Sequence, residues 1–209
     1  CPGARKSLYI DGIRMYKTFY KEAKGDDARR KEIVDTIMKL YDMRIENFGQ
    51  EGFVLGRKGA DMLRYDKSNP KAAYETLEKS HKLVGDKFEA GAVVAMYQSL
   101  YMMSKKEEAE KSQLLELYPV LSDINQKGIA NAKKESKKKG YRTAQENIDK
   151  LFLNIASCED IIGLYQPKLD AGEADAEVLN GWLRVMNVRE CSEEDFYLKV
   201  AAKSLSIKP

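Results

Sequence analysis

Apolar residues recur along this chain at intervals of three and four, the period of helices that bury one face, and no run of alternating β-branched residues interrupts them. Residues 7–24 carry Leu8, Gly12, Met15, Tyr16, Phe19 and Tyr20 on one side and stop at Gly25-Asp26-Asp27. Residues 28–48 place Ile33, Ile37, Leu40, Tyr41 and Ile45 together and end at Gly49. Helices are predicted next over 52–65 and 70–84. Between them Asp66-Lys67-Ser68-Asn69-Pro70 is a turn-and-cap signal, with Pro70 suited to a first helical turn. A helix over 88–104 precedes a long helical stretch over 107–138, where Pro119 should kink or break the rod by removing one backbone donor. After a turn at Gly140, helices are expected over 141–156, 158–171, 175–188 and 193–207. Ser157 with Asp160, and Ser192 with Asp195, have the spacing of a capping box.

About ten helices joined by short loops force neighbours to lie antiparallel, and each hairpin has an apolar face that it cannot bury alone. Ten helices are too many for a four-helix bundle, whereas stacking hairpins into a solenoid buries every face locally. The chain of 209 residues is therefore expected to be all-α, one domain over residues 1–209 built as an αα-hairpin solenoid. The most apolar stretch, Gly91 to Met103, is too short to span a bilayer and suits a buried helix. The first residues do not read as a signal segment, and Cys1-Pro2-Gly3 fits lipid modification of Cys1 poorly.

The hairpin over residues 52–85 is about 34 residues long, the tetratricopeptide period. Within EGFVLGRKGADMLRYDKSNPKAAYETLEKSHKLVGD, the first helix offers Leu55, then Gly59 and Ala60, then Leu63; the second offers Ala73, Leu77, Ser80 and Leu83. Small residues let the two backbones approach while the large ones fill the grooves. In this it resembles the tetratricopeptide repeat family, as does the chain end, Ala201 to Pro209, with its closing proline. The segment YDMRIENFGQEGFVLGRKGADMLRY and the stretches around Cys158 and Cys191 are similar to multi-repeat tetratricopeptide proteins of the envelope of gut-type Gram-negative bacteria. The resemblance implies a right-handed superhelix, a fragment of a longer array, and a periplasmic or outer-membrane-associated location. It also implies a non-catalytic scaffold that takes a partner protein or peptide in a concave groove lined by first helices. Arg57, Asp61 and Arg64, a polar stripe on such a helix, are nominated as groove contacts; the competing reading is an ion pair of Arg57 with Asp61 inside the helix. Tyr97 and Tyr101 are nominated beside them, although most of the 12 tyrosines should pack between helices. The Lys and Asn pair with which chaperone-binding members hold a peptide carboxylate is missing from the stripe.

Composition narrows the chemistry. The single histidine, His81, rules out histidine-pair metal sites, and it sits on a solvated-looking helix face. Gly52, Gly56 and Gly59 lie within a helical pattern, not in a phosphate-binding loop. No enzyme, cofactor or metal is expected. Cys158 and Cys191 stand 33 residues apart, nearly one repeat, each near a predicted helix start. They are a disulfide, which would imply an oxidising compartment, two reduced and partly buried thiols, or a reactive pair. The cluster Lys133, Lys134, Lys137, Lys138, Lys139 and Arg142 supports an alternative function, a basic module binding nucleic acid or an acidic surface. Against it, a net charge of only +3 argues against nucleic acid, and such a cluster also suits a solvated helix end.

Overall fold

The computed structural model describes residues 5–207, so Cys1 and the closing Lys208-Pro209 lie outside the described residues. Those residues form ten α-helices: α1 (Lys6–Glu22), α2 (Asp27–Phe48), α3 (Glu51–Tyr65), α4 (Pro70–Val84), α5 (Ala90–Lys105), α6 (Lys111–Asn131), α7 (Glu135–Leu153), α8 (Cys158–Asp170), α9 (Ala176–Val188) and α10 (Asp195–Ser206). A 3-10 turn, Gly85–Lys87, joins α4 to α5. Among the described residues there is no strand, and no helix is long and apolar enough to cross a membrane. The all-α expectation therefore holds.

Most helices pack on their successors, and odd-numbered helices also follow one another, α3 on α5, α5 on α7 and α7 on α9. That is the contact order of hairpins stacked along the chain. Two apolar clusters run through the stack. Ile13, Ile33, Ile37, Tyr41 and Val54 form the first, between α1, α2 and the start of α3. The second begins at Leu63 and continues through all later helices to Val200. Hairpin α3–α4 is packed most closely, for the reason that the small residues suggest. A methyl added at Gly59 would stand 2.5 Å from Leu77 Cγ, and one at Gly52 would stand 2.6 Å from Val84 Cγ1. Ser80 Oγ uses this proximity to donate to the Gly52 carbonyl at 2.6 Å.

The structure corrects the second half of the sequence reading. Helix α6 runs through Pro119 without ending, because Leu114, Tyr118, Leu121 and Ile124, on both sides of the proline, are anchored in one core. The break falls instead after Asn131, and α7 passes straight through Gly140. There the next residue fixes the helix. The Tyr141 ring occupies the slot that Gly128 leaves open, and its hydroxyl donates to the Phe88 carbonyl at 3.1 Å. The capping box at Ser157 is formed, with Ser157 N donating to Asp160 at 2.7 Å and Asp160 N to Ser157 Oγ at 3.1 Å. No such box forms at Ser192, since α10 starts later, behind Glu194.

Cys158 and Cys191 are bonded, with α-carbons 5.7 Å apart. Cys158 opens α8 as expected, but Cys191 lies in the α9–α10 connection and not at a helix start. The bond brings the start of α8 beside the end of α9, where Arg189 Nε also donates to the Ala156 carbonyl at 2.8 Å.

Candidate functional site

The nominated stripe on α3 does not act as one surface. Arg57 is not paired with Asp61; its fork holds both oxygens of Glu89, the residue preceding α5, at 2.8 and 2.7 Å. That bond raises its pKa further, against the opposing effect of burial. Asp61, by contrast, is only 3% exposed, too little for the groove contact expected of it. It accepts from the Tyr41 hydroxyl at 2.7 Å and faces the Lys17 ammonium at 2.5 Å. Arg64 is exposed, as Arg57 is, and stands 3.8 Å from Asp61. Tyr97 is fully buried and donates to the Leu114 carbonyl at 3.3 Å. Tyr101 is half-buried, with the Lys105 ammonium 5.3 Å from its ring centre. His81 is half-buried and tilts against the Phe88 ring, and burial lowers its pKa.

The basic cluster is at the other end of a helix from the one that would make it innocuous. Lys134 precedes the first turn of α7, Lys137 lies in that turn, and Lys138, Lys139 and Arg142 follow it. The macrodipole there favours anions, so the dipole does not explain these lysines. Arg142 pairs with Glu135 at 2.6 Å, while among the described residues the five lysines have no ion-pair partner.

A recess between α6, α7, α8 and α9 has the chemistry of a binding site. It encloses about 270 Å³. Its inner wall is a polar network on α6 and α7. Tyr118 donates to Asp149 Oδ1 at 2.7 Å, and Gln145 Nε2 donates to the same oxygen at 2.6 Å and to Ser122 Oγ at 3.0 Å. Asn125 in turn donates to Gln145 Oε1 at 3.0 Å. Aromatic pairs frame the network: Tyr118 stacks on Phe152 at 3.9 Å, and Tyr165 stacks on Trp182 at 4.5 Å. Arg184, Lys168, Asp123 and Glu173 are also among the lining residues.

Burial lifts the Asp149 carboxyl above its ordinary range, against the bonds from Tyr118 and Gln145 that favour its charged form. Burial, reinforced by Tyr165 and Asp149, raises Tyr118 well above the phenol range, so it stays protonated and donates. Asp149 has no cation within ion-pair distance among the described residues; Arg184 acts on it only from further away. The recess can thus accept a donor or a positive charge on a carboxylate while ring surfaces enclose the rest of a group.

Comparison with protein-family models, curated proteins and solved structures finds no match. Function is therefore inferred from the recess itself. Its residues were not among those nominated from the sequence, yet a signal existed. Gln145 and Asp149 are one helical turn apart, beside the buried register of Ala144, Ile148 and Phe152.

Proposed function

We propose that the chain is a non-catalytic interaction scaffold of tetratricopeptide-like hairpins, which takes a segment of a partner protein in the recess between α6 and α9. One observation carries this reading: Asp149, partly buried among aromatic rings, has no cation within ion-pair distance among the described residues and faces a cavity of side-chain size. The close α3–α4 hairpin and the sequential packing of odd-numbered helices support the repeat reading. The Cys158–Cys191 bond suits an oxidising compartment such as the periplasm.

Trp182 is the chain's only tryptophan, so its fluorescence reports on this recess alone. Peptides selected from a random display library on the wild-type protein should shift Trp182 emission saturably. They should bind at least about tenfold more weakly to an Asp149→Ala variant. Selected peptides that bind this variant equally and leave the emission unchanged would refute the recess as the site.

A second reading has its own support in the unpaired lysines at the start of α7. If that face binds a polyanion, affinity for heparin or duplex DNA should fall steeply with salt and be lost in Lys137/Lys138/Lys139→Ala.

A further inference from the structure

The cations at the α1–α3 end do not all have counter-ions. Arg14, Lys17, Arg44 and Arg57 line one cavity of about 200 Å³, with Ile10, Ile13 and Tyr41 completing the wall. Three of the four are matched. Arg14 lies 3.0 Å from Asp11, Lys17 lies 2.5 Å from Asp61, and Arg57 holds Glu89 at 2.7 Å. Arg44 is the exception, and it is also the most deeply buried, at 6% exposure. Among the described residues no carboxylate stands within ion-pair distance of it, and its Nε has no hydrogen-bond partner. Glu89 attracts it from a distance, but both oxygens of that carboxylate are occupied by Arg57.

A guanidinium does not shed its proton to escape such a position. An unpaired charge held out of water weakens a fold unless something completes it. Arg44 also sits in the buried register of α2, following Ile33, Ile37 and Tyr41 at helical spacing. An apolar side chain there would have packed without that penalty.

We propose that this cavity is a binding site for a single carboxylate, gripped by the Arg44 guanidinium with Arg57 and Arg14 at its edge. The charge balance selects the ligand: one positive charge is left over, and a carboxylate supplies one negative charge. A phosphate dianion would set a second negative charge beside Asp61 and Glu89. The planar fork of arginine matches a planar carboxylate, and Ile10 and Ile13 suit the methylenes that lead to it. An acidic side chain of a peptide has this chemistry. The site is separate from the α6–α9 recess and stands whether or not that recess holds a partner.

The test is an NMR titration that follows the backbone amide resonance of Ile13, which lines the cavity and is present in wild type and every Arg44 variant. N-acetylglutamate α-amide should shift it saturably. Sodium chloride at equal ionic strength should not, N-acetylglutamine α-amide should act at least about tenfold more weakly, and phosphate should be weaker than the carboxylate. Arg44→Lys keeps the charge without the fork and should weaken the response several-fold. Trp182 emission should not move, which separates this outcome from any result at the recess. Arg44→Met should abolish the response with an unchanged or higher melting temperature. An equal response to the glutamine analogue, a preference for phosphate, or a sharp fall in melting temperature in Arg44→Met would each overturn the assignment. Should that variant fail to fold, the wild-type titration and Arg44→Lys still decide.

Discussion

Asp61 on α3 and Asp149 on α7 begin from the same local arrangement. Each accepts, at 2.7 Å, the hydroxyl of a tyrosine on the helix before its own, Tyr41 for one and Tyr118 for the other. They part in what comes next. Asp61 is sealed, with the Lys17 ammonium of α1 at 2.5 Å and Arg64 at 3.8 Å. Asp149 receives the neutral Gln145 amide and then faces the recess. One tyrosine–carboxylate unit thus serves as a joint between three helices, and the other is left open at a cavity. A buried carboxylate closed by a cation holds elements in register; one without a cation retains its capacity to bind.

The largest effect expected from breaking this contrast concerns what holds each end together. Around the recess that is a disulfide, and around Asp61 it is ionic. Reducing the Cys158–Cys191 bond, which closes a loop of 33 residues, should cost about 4 kcal/mol. Native-state hydrogen exchange should show the loss in α8–α10 and leave α1–α3 unchanged. Equal loss in both ends would show that they do not open separately.

Neutralising the sealed carboxylate comes next. Asp61→Asn leaves Lys17 without its counter-ion. Because the Lys17 side chain keeps 30% exposure, water offsets part of the penalty, and the expected loss is about 2 kcal/mol in urea denaturation. The corresponding change at the open site should do far less. In Asp149→Asn the side-chain amide oxygen would still accept from Tyr118 and Gln145, so this variant should stay within about 1 kcal/mol of wild type at pH 7 and not below it.

The smallest effect is in pH dependence, and its sign is fixed. Burial raises the folded-state pKa of Asp149 above its unfolded value. The folded chain therefore holds this proton more tightly, and stability from that source is lost as pH rises through the folded value. Any advantage of Asp149→Asn should be absent below about pH 3.5 and emerge as pH rises above the ordinary carboxylate value near 4. An advantage that grew on acidification would contradict the burial described for Asp149.

What the chain discloses before it folds, and what it withholds, follows from physics. Periodicity finds the helices from α1 to α5 within a few residues, because caps at Asp26 and Asn69 and glycines at 49 and 85 bound them clearly. It fails around Pro119 and Gly140, where local breakers are overruled by buried neighbours distant in sequence. The cysteine spacing allows a bond without deciding for it. Arg57 reads as a groove contact, but its partner Glu89 lies 32 residues away, beyond any rule based on helical neighbours. The two sites escape notice for a shared reason. Arg44 and Asp149 are charged residues in or beside buried registers, and a reading that collects apolar positions passes over the polar exceptions.

The bond between Cys158 and Cys191 also has a mechanical meaning. It makes a ring of the segment containing α8 and α9, and so of Tyr165, Trp182 and Arg184. Tension applied at the two ends of the chain would pass through the sulfurs and bypass the ring. A stretched molecule would come out shorter by roughly 110 Å than its residue number requires. The outer wall of the recess could then stay unpulled while the helices before and after it are drawn out.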